Sequence, residues 1–149
     1  MRRRALLILA TMMLSVLLLG GGGVALADTI DGTSGPDDLV GTDQQDVIHA
    51  SRGNDYVSGL AGPDLLYAGA GDDTVVGRDG NDRIYGNAGS DRLFGNHSND
   101  TINSAGDRRK DVVKCGQGKD DTAYVEEIDW VKDNCENVFM TVVTAPKAA

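Results

Sequence analysis

The sequence predicts an all-β chain wound as a flattened parallel solenoid, with nine-residue turn–strand units and two units to each coil. Three observations carry that prediction. A nine-residue period runs unbroken from residue 32 to residue 103. The first six places of each unit are crowded with Gly, Asn and Asp, which favour tight turning because Gly reaches positive φ freely and Asn tolerates it. The last three places read as extended chain, and their middle residue is always aliphatic.

The chain has 149 residues, and its segments follow in order. Residues 1–27 show a basic start (Arg2, Arg3, Arg4), an apolar run from Ala5 to Leu19, and small residues ending at Ala27. That layout predicts a secretory signal cleaved before Asp28. The apolar run of 15 residues falls short of the ~20 that span a bilayer, and four glycines follow it. A secreted product with no membrane insertion is expected. It would carry 11 Lys and Arg against 23 acidic residues, a net charge of −12, since only Arg2, Arg3 and Arg4 leave with the signal. So acidic a surface excludes nucleic acid, which asks for basic patches.

Residues 28–103 hold the repeat. Asp28-Thr29-Ile30-Asp31 carries the phase backwards, with Asp28 at position six and Ile30 at position eight. From Gly32 the frames read GTSGPDDLV, GTDQQDVIH, ASRGNDYVS, GLAGPDLLY, AGAGDDTVV, GRDGNDRIY, GNAGSDRLF and GNHSNDTIN. Position six is Asp in all eight: Asp37, Asp46, Asp55, Asp64, Asp73, Asp82, Asp91 and Asp100. Frames two apart stack at the ~4.8 Å strand spacing. One sheet is then expected to stack Leu39, Val57, Val75 and Leu93, and the other Ile48, Leu66, Ile84 and Ile102. Glycines this frequent oppose a helix, and no 3.6-residue period appears.

Residues 104–140 read as degenerate repeats with a cap. The pattern slips by two residues and resumes at GDRRKDVVK (106–114), CGQGKDDTA (115–123) and YVEEIDWVK (124–132). That phase puts Asp111, Asp120 and Asp129 at position six, with Val113, Thr122 and Val131 two residues later. Arg108, Arg109 and Lys110 replace turn glycines, so this turn is expected to be basic, solvated and free of calcium. Cys115 and Cys135 lie 20 residues apart, close to one 18-residue coil, which places them on one edge of adjacent coils within disulfide reach. Export to an oxidising compartment favours that bond over a redox-active pair, for which C-x-x-C spacing is missing. Trp130, Val138 and Phe139 are expected to cap the open end. Residues 141–149 read as a loose tail.

One inward side chain in nine residues makes a thin core, and stacking lines the position-six aspartates into two columns of like charge. A hard divalent cation answers both problems. Calcium takes six to eight oxygens, and stacked turns offer carboxylates and carbonyls with glycines admitting close backbone approach. Magnesium demands stricter octahedral geometry, and zinc prefers His or Cys, which the turns lack.

The frames resemble the haemolysin-type calcium-binding nonapeptide, or RTX, repeat, G-G-x-G-x-D-x-U-x. The resemblance implies a parallel β-roll in which Ca2+ lies between turns, held by position-six aspartates and turn carbonyls. It implies ligand roles for Asp55 in "ASRGND", Asp73 in "AGAGDD", Asp82 in "GRDGND" and Asp91 in "GNAGSD". It extends the same role to Asp37, Asp64 and Asp100, whereas Asp46 stands apart because "GTDQQD" lacks the fourth glycine. Leu60 and Arg78 depart from the pattern at position two, and Pro36 and Pro63 sit beside their aspartates, so fewer occupied sites than aspartates are expected. Residues 115–138 are similar to the closing segment of small secreted bacterial proteins with such repeats.

No catalytic set emerges. His49 and His97 fall at different frame positions with no nucleophile beside either, and the periodicity assigns the paired carboxylates to turns rather than to acid–base work. The expected product is a non-enzymatic calcium-binding β-roll that orders on meeting calcium and acts by binding an extracellular protein, cell wall or matrix. A structural or adhesive solenoid held by its disulfide and ladders, with calcium incidental, is the competing reading. A small hydrolase using an Asp-bound metal is a third.

Overall fold

The computed structural model describes residues 28–132 and 134–141; the expected leader (1–27) and most of the expected tail (142–149) lie outside the described residues. Thirteen strands follow in chain order: β1 (Asp28–Asp31), β2 (Asp38–Val40), β3 (Asp46–His49), β4 (Tyr56–Ala61), β5 (Leu65–Ala70), β6 (Thr74–Asp79), β7 (Arg83–Ala88), β8 (Arg92–His97), β9 (Thr101–Asn103), β10 (Val112–Gln117), β11 (Thr122–Glu126), β12 (Trp130–Val131) and β13 (Asn137–Thr141). Odd strands form a seven-stranded sheet in the order β1-β3-β5-β7-β9-β11-β13, and even strands a six-stranded sheet from β2 to β12. Every pairing is parallel, so the chain alternates between the sheets and climbs one coil per two strands. Among the described residues there is no helix, and none is long and apolar enough to cross a membrane.

The register is the one the period dictates. Leu39 pairs with Val57, Val57 with Val75 and Val75 with Leu93 in the even sheet. Ile48, Leu66, Ile84 and Ile102 follow one another in the odd sheet. Ile30 extends the odd column downward onto Ile48, and Val113 and Val131 extend the even column upward. Except at the two ends, these position-eight side chains are fully buried.

Strands are longer than the three residues expected. β4 to β8 run six residues each, continuing into the first three positions of the following frame. The alternation of inward and outward side chains is what lengthens them: positions six, eight and one all face in, so Ala50, Ala68 and Cys115 join the core beside the aliphatic residues. At position two the chain corners through a left-handed residue, and Leu60 (φ 80°) and Arg78 (φ 85°) adopt it despite their side chains. The ladder then resumes, with Leu60 opposite Arg78 and Ala61 opposite Asp79.

The C-terminal phase differs by one residue. Asp121, not Asp120, takes position six, and Ala123, not Thr122, stacks on Ile102 inside the core. Asp120 is exposed. The turn before Asp121 is one residue longer than the two-residue slip allows, so the buried, alternating set moves forward by one place. Trp130, Val138 and Phe139 stand on β12 and β13, the last strands of the two sheets, with Val138 over Ala123 and Phe139 over Tyr124, and are 53 %, 39 % and 52 % exposed. Cys115 and Cys135 are disulfide-bonded, with their Cα atoms 5.1 Å apart. Outward-facing side chains also stack in register, as in His49 on Tyr67 and Tyr67 on Tyr85, with ring centroids 5.0 and 4.9 Å apart.

Candidate metal centre

The turns at the two edges of the solenoid bring the position-six carboxylates into two columns. The first runs Asp37, Asp55, Asp73, Asp91, Asp111 and Asp129. The second runs Asp46, Asp64, Asp82, Asp100, Asp121 and Glu136. In each column the backbone N–H of one member donates to a carboxylate oxygen of the next coil. Asp37 N–H reaches Asp55 Oδ1 at 2.8 Å, Asp55 reaches Asp73 at 2.8 Å, and Asp73 reaches Asp91 at 2.9 Å. The second column repeats the pattern from Asp46 to Asp64 at 2.8 Å, then to Asp82 and Asp100 at 2.9 Å each. The main-chain carbonyl is used as well: Asp55, Asp64, Asp73 and Asp82 accept the N–H of Thr74, Arg83, Arg92 and Thr101.

One atom is left over. The Oδ2 atoms of Asp55, Asp64, Asp73, Asp82, Asp91, Asp100, Asp111 and Asp121 are buried and have no hydrogen-bond partner. A buried carboxylate oxygen without a donor is costly, and an unpaired buried charge far more so. No basic residue among the described residues relieves it. Among the described residues, carboxylates form ion pairs only with histidine, His49 with Asp31 and His97 with Asp79, both at exposed positions.

The surroundings explain the glycines. A Cβ at Gly59, Gly77 or Gly95 would lie 2.2 Å from the Oδ2 of Asp64, Asp82 or Asp100, so position one must be small for the carboxylate to fold back over its own turn. At position four, Gly71 (φ +139°) has the carbonyl oxygen of Gly53 1.7 Å from where its Cβ would stand. Turn carbonyls therefore point at the turn of the next coil. Those of Gly53, Gly62 and Gly71 accept no hydrogen bond among the described residues. The turns of these eight aspartates thus each offer one open carboxylate oxygen, and those of Gly53, Gly62 and Gly71 an open carbonyl as well. No three side chains of His, Cys, Asp or Glu converge among the described residues, so a cation here would take most of its ligands from backbone. That donor set, all oxygen and largely carbonyl, fits calcium.

Burial raises these carboxyls above the ordinary range. The N–H bond from the coil below offsets part of that shift, and neighbouring carboxylates add to it. Asp64 is pushed to about 6, Asp82 and Asp91 to about 7, and Asp100 and Asp111 to about 8. Asp55, Asp73 and Asp121 are raised as well, again chiefly by burial.

The lower ends differ. Asp37 Oδ2 accepts the Thr33 N–H at 2.6 Å and its hydroxyl at 3.0 Å, and Asp46 Oδ2 accepts the Thr42 N–H at 2.6 Å and its hydroxyl at 3.1 Å. These two aspartates stand in the columns but are locked by the chain itself. Sequence reasoning missed that lock, although Thr at position two occurs in these two frames alone. It also missed a second ladder at position five. Asn54 Oδ1 accepts the Asp72 N–H, Asp72 Oδ1 accepts that of Ser90, and Asn81 Oδ1 accepts that of Asn99, each at 3.0 Å.

A family model described as RTX calcium-binding nonapeptide repeat (4 copies) matches this chain over residues 19–57, 50–84 and 76–108. Nothing matches among curated proteins or among solved structures.

Proposed function

Because the chain belongs to the RTX calcium-binding nonapeptide repeat family, we propose that it is a secreted calcium-binding β-roll whose coils order when the ion binds. The observation that carries the reading is the set of buried Oδ2 atoms with no donor. Asp55, Asp64, Asp73, Asp82, Asp91 and Asp100 are the ligands within the repeat, each with turn carbonyls. Asp37 and Asp46 close the lower ends through Thr33 and Thr42. Bound calcium supplies positive charge between carboxylates that the fold otherwise leaves unpaired. The chain's own contribution is to present one oxygen per turn at fixed height, with every other polar atom of the position-six residue already engaged. Affinity in the range of extracellular modules, on the order of 10⁻⁴–10⁻³ M, suits such sites.

Secretion rests on the layout of residues 1–27, with cleavage before Asp28. The role is non-enzymatic, and any effect comes from binding an extracellular protein, cell wall or matrix. A second reading, a solenoid scaffold with calcium incidental, draws support from the disulfide and from the N–H to Oδ1 ladder, which tie coils together without an ion. Calorimetric titration of EDTA-stripped protein separates the two. Asp82→Asn keeps the Oδ1 acceptor for Asp64 but loses the charge, and should weaken calcium binding about tenfold or more, roughly 1.4 kcal/mol. Asp46→Asn should leave affinity within about twofold, because its oxygen already has a donor. Equal behaviour of the two variants would favour the scaffold.

A further inference from the structure

We propose that the cation columns continue beyond the nonapeptide repeat into the disulfide-closed end of the solenoid, where Asp111 and Asp121 each serve a further calcium ion. This rests on the reading that calcium binds the position-six carboxylates, and it adds sites where the sequence pattern offers none. The family match ends at residue 108. Asp111 follows "GDRRK" and Asp121 follows "GQGKD", and they stand 20 and 21 residues above their column neighbours rather than 18.

Their polar atoms are nonetheless disposed as in the middle coils. Both residues are fully buried. Asp111 Oδ1 accepts the Asp91 N–H at 2.7 Å, and Asp121 Oδ1 accepts that of Asp100 at 2.8 Å. Their own N–H groups donate upward, to Asp129 Oδ1 at 3.0 Å and Glu136 Oε2 at 2.9 Å. Their carbonyls accept the N–H of Trp130 at 2.8 Å and Asn137 at 2.9 Å. Only Oδ2 is without a donor in each, and in Asp121 the Gly118 backbone also lies against the carboxylate.

The basic turn does not supply the missing partner. Arg108, Arg109 and Lys110 are exposed, and among the described residues none forms an ion pair with Asp111. Three backbone donors of that turn are consumed elsewhere. Gly106 and Arg108 donate to the two oxygens of Glu126 at 2.9 Å each, and Arg109 donates to Asp107 at 2.9 Å. One coil higher the situation reverses. Asp129 Oδ2 accepts the Ser104 hydroxyl and the Glu126 N–H, both at 2.8 Å, which locks it as Thr33 locks Asp37. The first column is therefore closed by protein donors at Asp37 and at Asp129, and open at the four aspartates between. In the second column, the disulfide at Cys135 holds the adjoining Glu136 over Asp121.

Trp130, the sole tryptophan, gives a local readout because its backbone N–H rests on the Asp111 carbonyl. Terbium shares calcium's preference for oxygen ligands and emits when a nearby indole transfers energy to it. In the full-length secreted protein, terbium emission excited through Trp130 should fall by more than half in Asp111→Asn. It should persist in Asp46→Asn, whose Oδ2 is already held by Thr42 at the far end of the solenoid. Undiminished emission in Asp111→Asn would overturn the proposal. Far-UV circular dichroism in calcium verifies the fold of each variant. If Asp111→Asn does not fold, Asp121→Asn with bound calcium counted by equilibrium dialysis decides: one ion fewer supports the proposal, and an unchanged count overturns it. If the wild type binds neither ion, the calcium reading itself falls. If it binds both and neither variant differs, only this extension does.

Discussion

Asp46 and Asp64 occupy one column a single coil apart, both buried, yet their Oδ2 atoms meet opposite circumstances. Thr42 gives Asp46 a backbone and a hydroxyl donor, whereas no donor among the described residues reaches Asp64 Oδ2. The same division separates Asp111 from Asp129 at the other end. A repeat protein that stacks identical charges must satisfy each one, and this chain does so in two ways. At three of the four column ends, Asp37, Asp46 and Asp129, it uses its own donors. In the middle it leaves an oxygen free, and there the proposed calcium ion would supply the missing partner.

The largest effect expected from this contrast appears in metal-free protein as pH changes. The carboxyls of Asp64, Asp82, Asp91, Asp100 and Asp111 lie at about 6 to about 8, above the ordinary value of about 3.9, mainly because they are buried. A group raised on folding contributes stability that is complete below its unfolded value and lost as pH climbs through its folded value. In EDTA, the urea midpoint should therefore be highest near pH 4 and fall steadily towards pH 8. Calcium should oppose that fall, because it needs the ionised carboxylate. A metal-free midpoint that is flat or rises between those pH values would break the comparison.

A smaller effect separates two glycines at the same frame position. Gly71→Val places a side chain at φ +139° against the Gly53 carbonyl and should cost at least about 3 kcal/mol. Gly35→Val meets nothing within 4 Å and should stay within about 0.5 kcal/mol. Paired urea melts in calcium measure both. Similar losses would mean that the terminal turn is as tightly constrained as the central ones. Smallest is Thr42→Val, which removes the hydroxyl bond to Asp46 but keeps the backbone one. It should cost about 1 kcal/mol and leave calcium affinity unchanged. A gain of calcium affinity in that variant would show that the lock, and not the turn shape, keeps the ion out.

Much of this is legible in the sequence. An unbroken period of nine fixes which aliphatic residues share a sheet, because a parallel ladder with two frames per coil admits one register. The columns of Asp55, Asp64, Asp73, Asp82, Asp91 and Asp100 follow from the same arithmetic. Legibility fails where spacing changes. Asp120 and Asp121 are adjacent and chemically identical, and only the extra residue in the preceding turn decides which one faces inward. The locks by Thr33, Thr42, Ser104 and Glu126 depend on which way a donor points, and that direction has no periodic signature. Trp130, Val138 and Phe139 read as a cap from their hydrophobicity, and they stand partly exposed on β12 and β13, the last strands among the described residues.

The central claim is that the middle coils depend on calcium while three of the four column ends hold themselves. The most direct test is a calcium titration of residues 28–149 after EDTA stripping, followed by far-UV circular dichroism and Trp130 fluorescence, with magnesium as control. The account predicts a cooperative gain of β signal with calcium and none with magnesium at the same concentration. A spectrum already fully β in EDTA at pH 8, and indifferent to calcium, would contradict it.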